Sequence, residues 1–211
     1  MHLAFIGFGN VGAPLAARLA ERGHDVALAE SKPGSPSAAA ALARSPQLRA
    51  LPLPEALGGA EVVFLAVPFP AVEGILQPLA EALAGKVLVD CTNPVGPGLT
   101  HGLDSRRSGS EFIQALVPKA RVVKAFSIYG FENFEDPAYP GYGVQPAMLF
   151  CGDDPAAKAQ VRALIADNGF EPVDVGGLAQ ALHLEHMTLL WVRMVRVKGH
   201  SPNLVWAALR R

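Results

Sequence analysis

A chain of 211 residues, half of them hydrophobic, can bury a substantial core and has room for one large domain or a domain with a small appendage. Its formal net charge of -1 supplies no broad basic field to collect nucleic acid or an anionic membrane, which excludes both as expected partners. The only cysteines, Cys91 and Cys151, lie far apart without zinc-site spacing or disulfide density, and no run reaches the roughly 18 apolar residues of a spanning helix, so a soluble, unprocessed, cytoplasmic chain is expected.

Residues 3–6 form an apolar run that predicts a first strand, and residues 13–22 carry a helical pattern. Between them stand Gly7, Phe8, Gly9, Asn10, Val11 and Gly12, a G-x-G-x-x-G pattern leaving a strand and opening a helix, the context in which it binds a dinucleotide. Gly7 allows the tight turn, Gly9 lets the backbone approach a pyrophosphate, and Gly12 lets the helix pack closely on the sheet. The N–H groups and positive dipole end at the helix start then hold the anion without a basic side chain.

Downstream, residues 25–29 predict a strand, 33–37 a Pro-, Gly- and Ser-rich loop, and helix resumes at Ala38. Strands follow near Leu51 and over 62–66, 87–90 and 122–126, each apolar along its length as parallel strands covered on both faces are. Residues 129–146 predict a long surface loop, 147–151 a strand, 155–168 a helix, 172–175 a strand and 178–197 a last helix, before a short apolar segment over 203–209. The fold class is α/β, a Rossmann-type doubly wound, mostly parallel sheet with a small C-terminal α/β extension, and its ligand crevice lies along the carboxyl ends of the strands. Residues 1–127 are expected to form the NAD(P)-binding domain, and 128–211 a small region that completes the substrate pocket or a dimer face.

Glu30 stands at the end of the second strand, where a carboxylate accepts hydrogen bonds from an adenosine ribose and taken alone favours NAD. Ser31 and Lys32 follow at once with a donor and a cation suited to a 2'-phosphate, so NAD and NADP both stay open. Ala66, Val67 and Pro68 end another strand in the rigid turn Pro68, Phe69, Pro70, placed against the adenosine half. Thr92 and Asn93 offer short polar groups at the expected nicotinamide position, and the backbone at Ala125 is placed to meet the ring. Lys124, which points either into the crevice or out of the sheet, and Tyr129 are the proton-donor candidates; no triad or carboxylate pair stands out. His183, Glu185 and His186 lack ligand spacing, and no metal is expected. Met187, Leu190, Trp191 and Met194 form a stripe for the core or a homodimer face, and Arg193, Arg196, Lys198 and His200 a solvated basic run or a hold for an acidic substrate.

Taken together, GFGNVG at 7–12, FLAVPFPAV at 64–72, DCTNP at 90–94, VKAF at 123–126, GFENF at 130–134, FCGDD at 150–154, GFEPVD at 169–174 and LLW at 189–191 resemble the NADP-dependent oxidoreductases that use the deazaflavin coenzyme F420. The resemblance implies hydride transfer between a nicotinamide held at the glycine loop and a deazaflavin stacked on it, with catalysis resting on proximity and water exclusion. Two departures stand out: Glu30 and Ser31 occupy the places where the family has Ser or Thr followed by Arg, and Ser127 replaces an Asn. The same cofactor site also suits a small reductase of a carbonyl or imine, or a non-catalytic NAD(P)-sensing module.

Overall fold

The computed structural model describes residues 1–211. Its strands are His2–Ile6 (β1), Asp25–Glu30 (β2), Arg49–Pro52 (β3), Val62–Leu65 (β4), Val87–Asp90 (β5), Arg121–Lys124 (β6), Ala147–Gly152 (β7) and Glu171–Asp174 (β8). They make one eight-stranded sheet in the order β3-β2-β1-β4-β5-β6-β7-β8. Neighbours are parallel throughout except β6 and β7, where Val123 pairs antiparallel with Gly152. The strand order reverses between β1 and β4, which opens a crevice at their carboxyl ends.

The apolar runs are continuous because alternate residues feed two cores. From β1, Leu3 and Phe5 enter one cluster while Ala4 and Ile6 enter the other. Phe5 stacks on Phe64 of β4 at 4.3 Å between ring centres, inside the face covered by the helices Gly12–Glu21 (α1) and Pro155–Asp167 (α7). The helices Leu53–Gly59 (α3), Val72–Leu76 (α4) and Gly109–Leu116 (α5) cover the opposite face with Leu57, Leu76 and Ile113.

Helix starts follow local chemistry. Ser35 caps Pro36–Leu42 (α2) by accepting from the Ala38 N–H, with Pro36 in the first turn, so this helix begins two residues before the Ala38 expected from sequence. Ser108 and Glu111 form a reciprocal capping box on α5, and Asp154 caps α7. The loop over 129–146 holds one short helix, Glu132–Glu135 (α6). The last helix expected over 178–197 is helical throughout, opening on a 3-10 turn Leu178–Gln180, continuing as the helix Ala181–Val192 (α8) and closing in a π-helical turn Arg193–Val197. Its apolar stripe does not form one face, since Trp191 is buried and donates to the Leu204 carbonyl at 2.7 Å whereas Leu190 is 51% exposed.

Candidate functional site

Two adjoining cavities run along the carboxyl edge of the sheet and share Gly9, Ala66, Val67 and Pro68. One, of about 560 Å³, extends under β2 and is lined by Ser31, Lys32, Ser35 and Ser37 opposite Ile75 and Leu79. The other, of about 370 Å³, extends toward β5 and is lined by Asn10, Val11, Phe69, Cys91, Thr92 and Asn93. The crevice is therefore continuous, with the glycine loop at its middle.

The three glycines divide by what surrounds them. Gly7 has φ +88°, and a Cβ there would lie 2.4 Å from the Ala66 carbonyl oxygen. A Cβ on Gly12 would lie 2.1 Å from the Gly7 carbonyl oxygen, so α1 reaches the sheet only because that atom is missing. A Cβ on Gly9 would meet no protein atom within 4 Å. The fold requires the first two; the protein itself asks nothing of the third. Gly12→Ala is accordingly expected to lower stability by roughly 1–3 kcal/mol or more in a urea titration, as overpacking against fixed backbone does. No side chain caps α1, and no acidic residue stands in its first turn, which leaves its positive end to an anion.

Glu30 does not stand free in solvent at the strand end; it is only 8% exposed. Its Oε1 accepts from the Ser35 N–H and hydroxyl at 3.0 Å each, and its Oε2 from the Gly34 N–H at 3.4 Å. The Ser35 N–H is the foremost cause holding this carboxyl below its usual range, against an opposing push from burial. Glu30 pins the turn over 31–35 and leaves the cavity wall to Ser31, Lys32, Ser35 and Ser37. Sequence reasoning missed the last two, although the S-K-P-G-S run directly after Glu30 is the signal of a turn folding back on it.

At the other end, Asn93 donates from Nδ2 to the Ser127 carbonyl at 3.0 Å, and Thr188 of α8 donates to that carbonyl at 2.7 Å. Thr92 is bound at N and Oγ1 to Asp90 Oδ1, at 2.8 and 2.7 Å. Ala125 is fully buried and lines neither cavity, while the following Phe126 is buried at φ +53°. Cys91 lines the wall with a thiol pushed up by burial, out of reach of thiolate chemistry.

Lys124 neither enters the crevice nor snorkels out of the sheet. It is completely buried, with Nζ 3.0 Å from Asp90 Oδ2 and 3.1 Å from Glu185 Oε1. Burial alone would lower its ammonium, but the two carboxylates outweigh burial and hold it above the ordinary lysine value. The Tyr129 hydroxyl is engaged with the Ala147 carbonyl in the core, and burial pushes its proton affinity up. Neither donor candidate presents a proton to the crevice. Glu185 faces inward to Lys124 while His183 and His186 lie exposed, so the three never gather as ligands. Of the basic run, Arg193 donates to the Gly98 and Leu99 carbonyls and Arg196 pairs with Glu132.

Residues 2–94, which carry the glycine loop, the Lys32 turn and the Thr92–Asn93 wall, match the family model described as NADP oxidoreductase, coenzyme F420-dependent. A crystal structure of an Arthrobacter sp. FB24 protein, provisionally assigned as an F420-dependent NADP reductase, superposes with a TM-score of 0.86 at 28% identity, covering 100% of both chains. The family model covers less than half of the chain, and the chain is similar to this oxidoreductase family. The likeness to the Arthrobacter protein extends it through the C-terminal residues that the family model leaves unmatched. A hypothetical protein of Sinorhizobium meliloti is 30% identical with a TM-score of 0.76, over 86% of this chain and 88% of that one. The Metalloreductase STEAP3 of Rattus norvegicus is 34% identical over 188 residues, 89% of this chain and 36% of its own. The chain spans little over a third of the length of the curated relatives it matches. No helix is long and apolar enough to cross a membrane.

Proposed function

We propose that this chain transfers a hydride between NADP(H), laid along the crevice, and the deazaflavin coenzyme F420. The observation that carries the reading is the continuous crevice itself, bare at Gly9, with a serine–lysine pocket at one end and an amide–hydroxyl wall at the other. The bound dinucleotide supplies the hydride from its nicotinamide, the deazaflavin ring receives it with the electron pair, and solvent supplies the accompanying proton. The first turn of α1 and the backbone at Gly9 hold the pyrophosphate. Ser31, Lys32 and Ser37 take the 2'-phosphate, on a turn that Glu30 keeps in shape through Ser35 without facing the phosphate itself. Asn93, fixed by Ser127 and Thr188, orients the nicotinamide end, and no side-chain acid or base is needed. Residues 128–211 complete the acceptor side or a dimer contact, and Leu190 and Val197, exposed on the last helical segments, suit the latter.

The test is anaerobic mixing of the protein with oxidised F420 and either NADPH or NADH, following loss of the deazaflavin absorbance. Bleaching that is faster with NADPH is expected; no bleaching while the nucleotide is measurably bound would move the acceptor elsewhere. Lys32→Ala should weaken NADPH by roughly 1–3 kcal/mol and leave NADH nearly unchanged in binding titrations, as loss of a charged contact does. The likeness to a metalloreductase favours a second reading, in which bound NADPH gives up an electron pair and two metal ions each take one electron.

A further inference from the structure

Behind the Thr92 wall lies a cluster of buried charges that the proposed hydride transfer does not itself use. Lys124 meets Asp90 and Glu185, and Asp90 Oδ2 also accepts from the Ser110 hydroxyl at 2.6 Å. Glu185 further accepts from the Gly109 N–H at 2.9 Å and from His101 Nε2 at 2.7 Å. His101 Nδ1 accepts from the Leu103 and Ser105 N–H groups at 3.2 Å each, which fixes the ring as the neutral tautomer with its proton on Nε2. One ammonium therefore faces two carboxylates, and the side chains of all four residues are at most 2% exposed. Outside the group, the exposed Arg107 lies over Phe112, which packs on Phe69, and the exposed His186 stacks on His101 at 5.5 Å between ring centres.

The excess charge stands one residue layer from the crevice. Asp90 holds Thr92 by N and Oγ1, and Lys124 donates to the Thr92 carbonyl. A Cβ placed on Gly109 would lie 3.1 Å from Glu185 Oε1 and 2.8 Å from the ring of Phe69, so only that glycine separates the carboxylate from the wall. Burying Lys124 needs one carboxylate; a second makes the group anionic and raises the cost of burying it. We propose that this net negative charge biases the bound nicotinamide couple toward its oxidised form, whose ring is a cation, and so makes bound NADPH a stronger hydride donor. Asp90 and Glu185 are positioning residues that act through the field behind Thr92 and Phe69. The inference rests on the nicotinamide lying at the Thr92–Asn93 end, as proposed above.

The experiment compares dissociation constants for NADP+ and NADPH, by titration and competition, in the wild type, Glu185→Gln, Asp90→Asn and the charge-conserving Glu185→Asp. The wild type should bind NADP+ more tightly than NADPH. Neutralising either carboxylate should weaken NADP+ relative to NADPH by roughly 5- to 30-fold, the size expected for a unit charge one layer away at an effective dielectric of about 20, while Glu185→Asp keeps the wild-type ratio. A wild type that prefers NADPH, or a folded Glu185→Gln or Asp90→Asn with an unchanged ratio, would overturn the inference. If both neutralised variants fail to fold, the wild-type preference alone decides it. A wild type that binds neither nucleotide would instead refute the nucleotide site.

Discussion

Gly9→Val should abolish detectable binding of NADPH while the protein unfolds at a urea midpoint indistinguishable from the wild type. The expectation comes from the contrast between three glycines of one motif. At Gly7 and Gly12 a side chain would run into backbone oxygens at 2.4 and 2.1 Å, so substitutions there confuse loss of fold with loss of function. At Gly9 nothing within 4 Å opposes a Cβ, and its φ lies outside the left-handed region, so valine changes stability by no more than about 0.5 kcal/mol, as surface substitutions usually do. The space such a side chain enters is the middle of the crevice, common to both cavities. A pyrophosphate laid across the start of α1 has to pass there, and the branched side chain excludes it. Wild-type affinity in a folded Gly9→Val protein, read by NADPH fluorescence titration, would mean that the nucleotide takes another path.

The second large effect lies in the core. Lys124→Met should cost about 3–5 kcal/mol of unfolding free energy, the size found when one partner of a buried ion pair is removed. Methionine fills the volume, so the loss is electrostatic: Asp90 and Glu185 are left facing each other without their shared cation. The pH dependence separates this cause from a packing defect. In the wild type the Lys124 ammonium is raised, so its contribution is complete below the unfolded lysine value of about 10.4 and disappears only as pH rises through the folded value. The variant has no such group to lose, so the gap to the wild type should narrow as pH rises above about 10.4. A gap that is constant across that range would mean the lysine acts only by filling space.

The parts of this architecture readable in sequence are those set by neighbours along the chain. The β1–glycine loop–α1 unit is legible because Gly7 turns the chain at positive φ and Gly12 answers to the nearby Gly7 carbonyl, and β4 and β5 because both their faces are apolar. The parts that sequence left open depend on distant partners. Lys124 looks free until Glu185, far along the chain on α8, closes on it. The last helix carried an uninterrupted helical pattern and is helical over 178–197, but nothing in that pattern announces its closing π-helical turn, Arg193–Val197. A buried lysine in an apolar strand always requires a partner; nothing in its neighbourhood says which one.

The most direct measurement is a single anaerobic turnover of NADPH carrying deuterium at the transferred position of its nicotinamide, with oxidised F420, in ordinary water. A crevice that works by holding two rings face to face, with no protein acid or base between them, predicts that the deuterium is recovered on the deazaflavin ring. Reduced coenzyme carrying only solvent hydrogen at that carbon would contradict direct transfer.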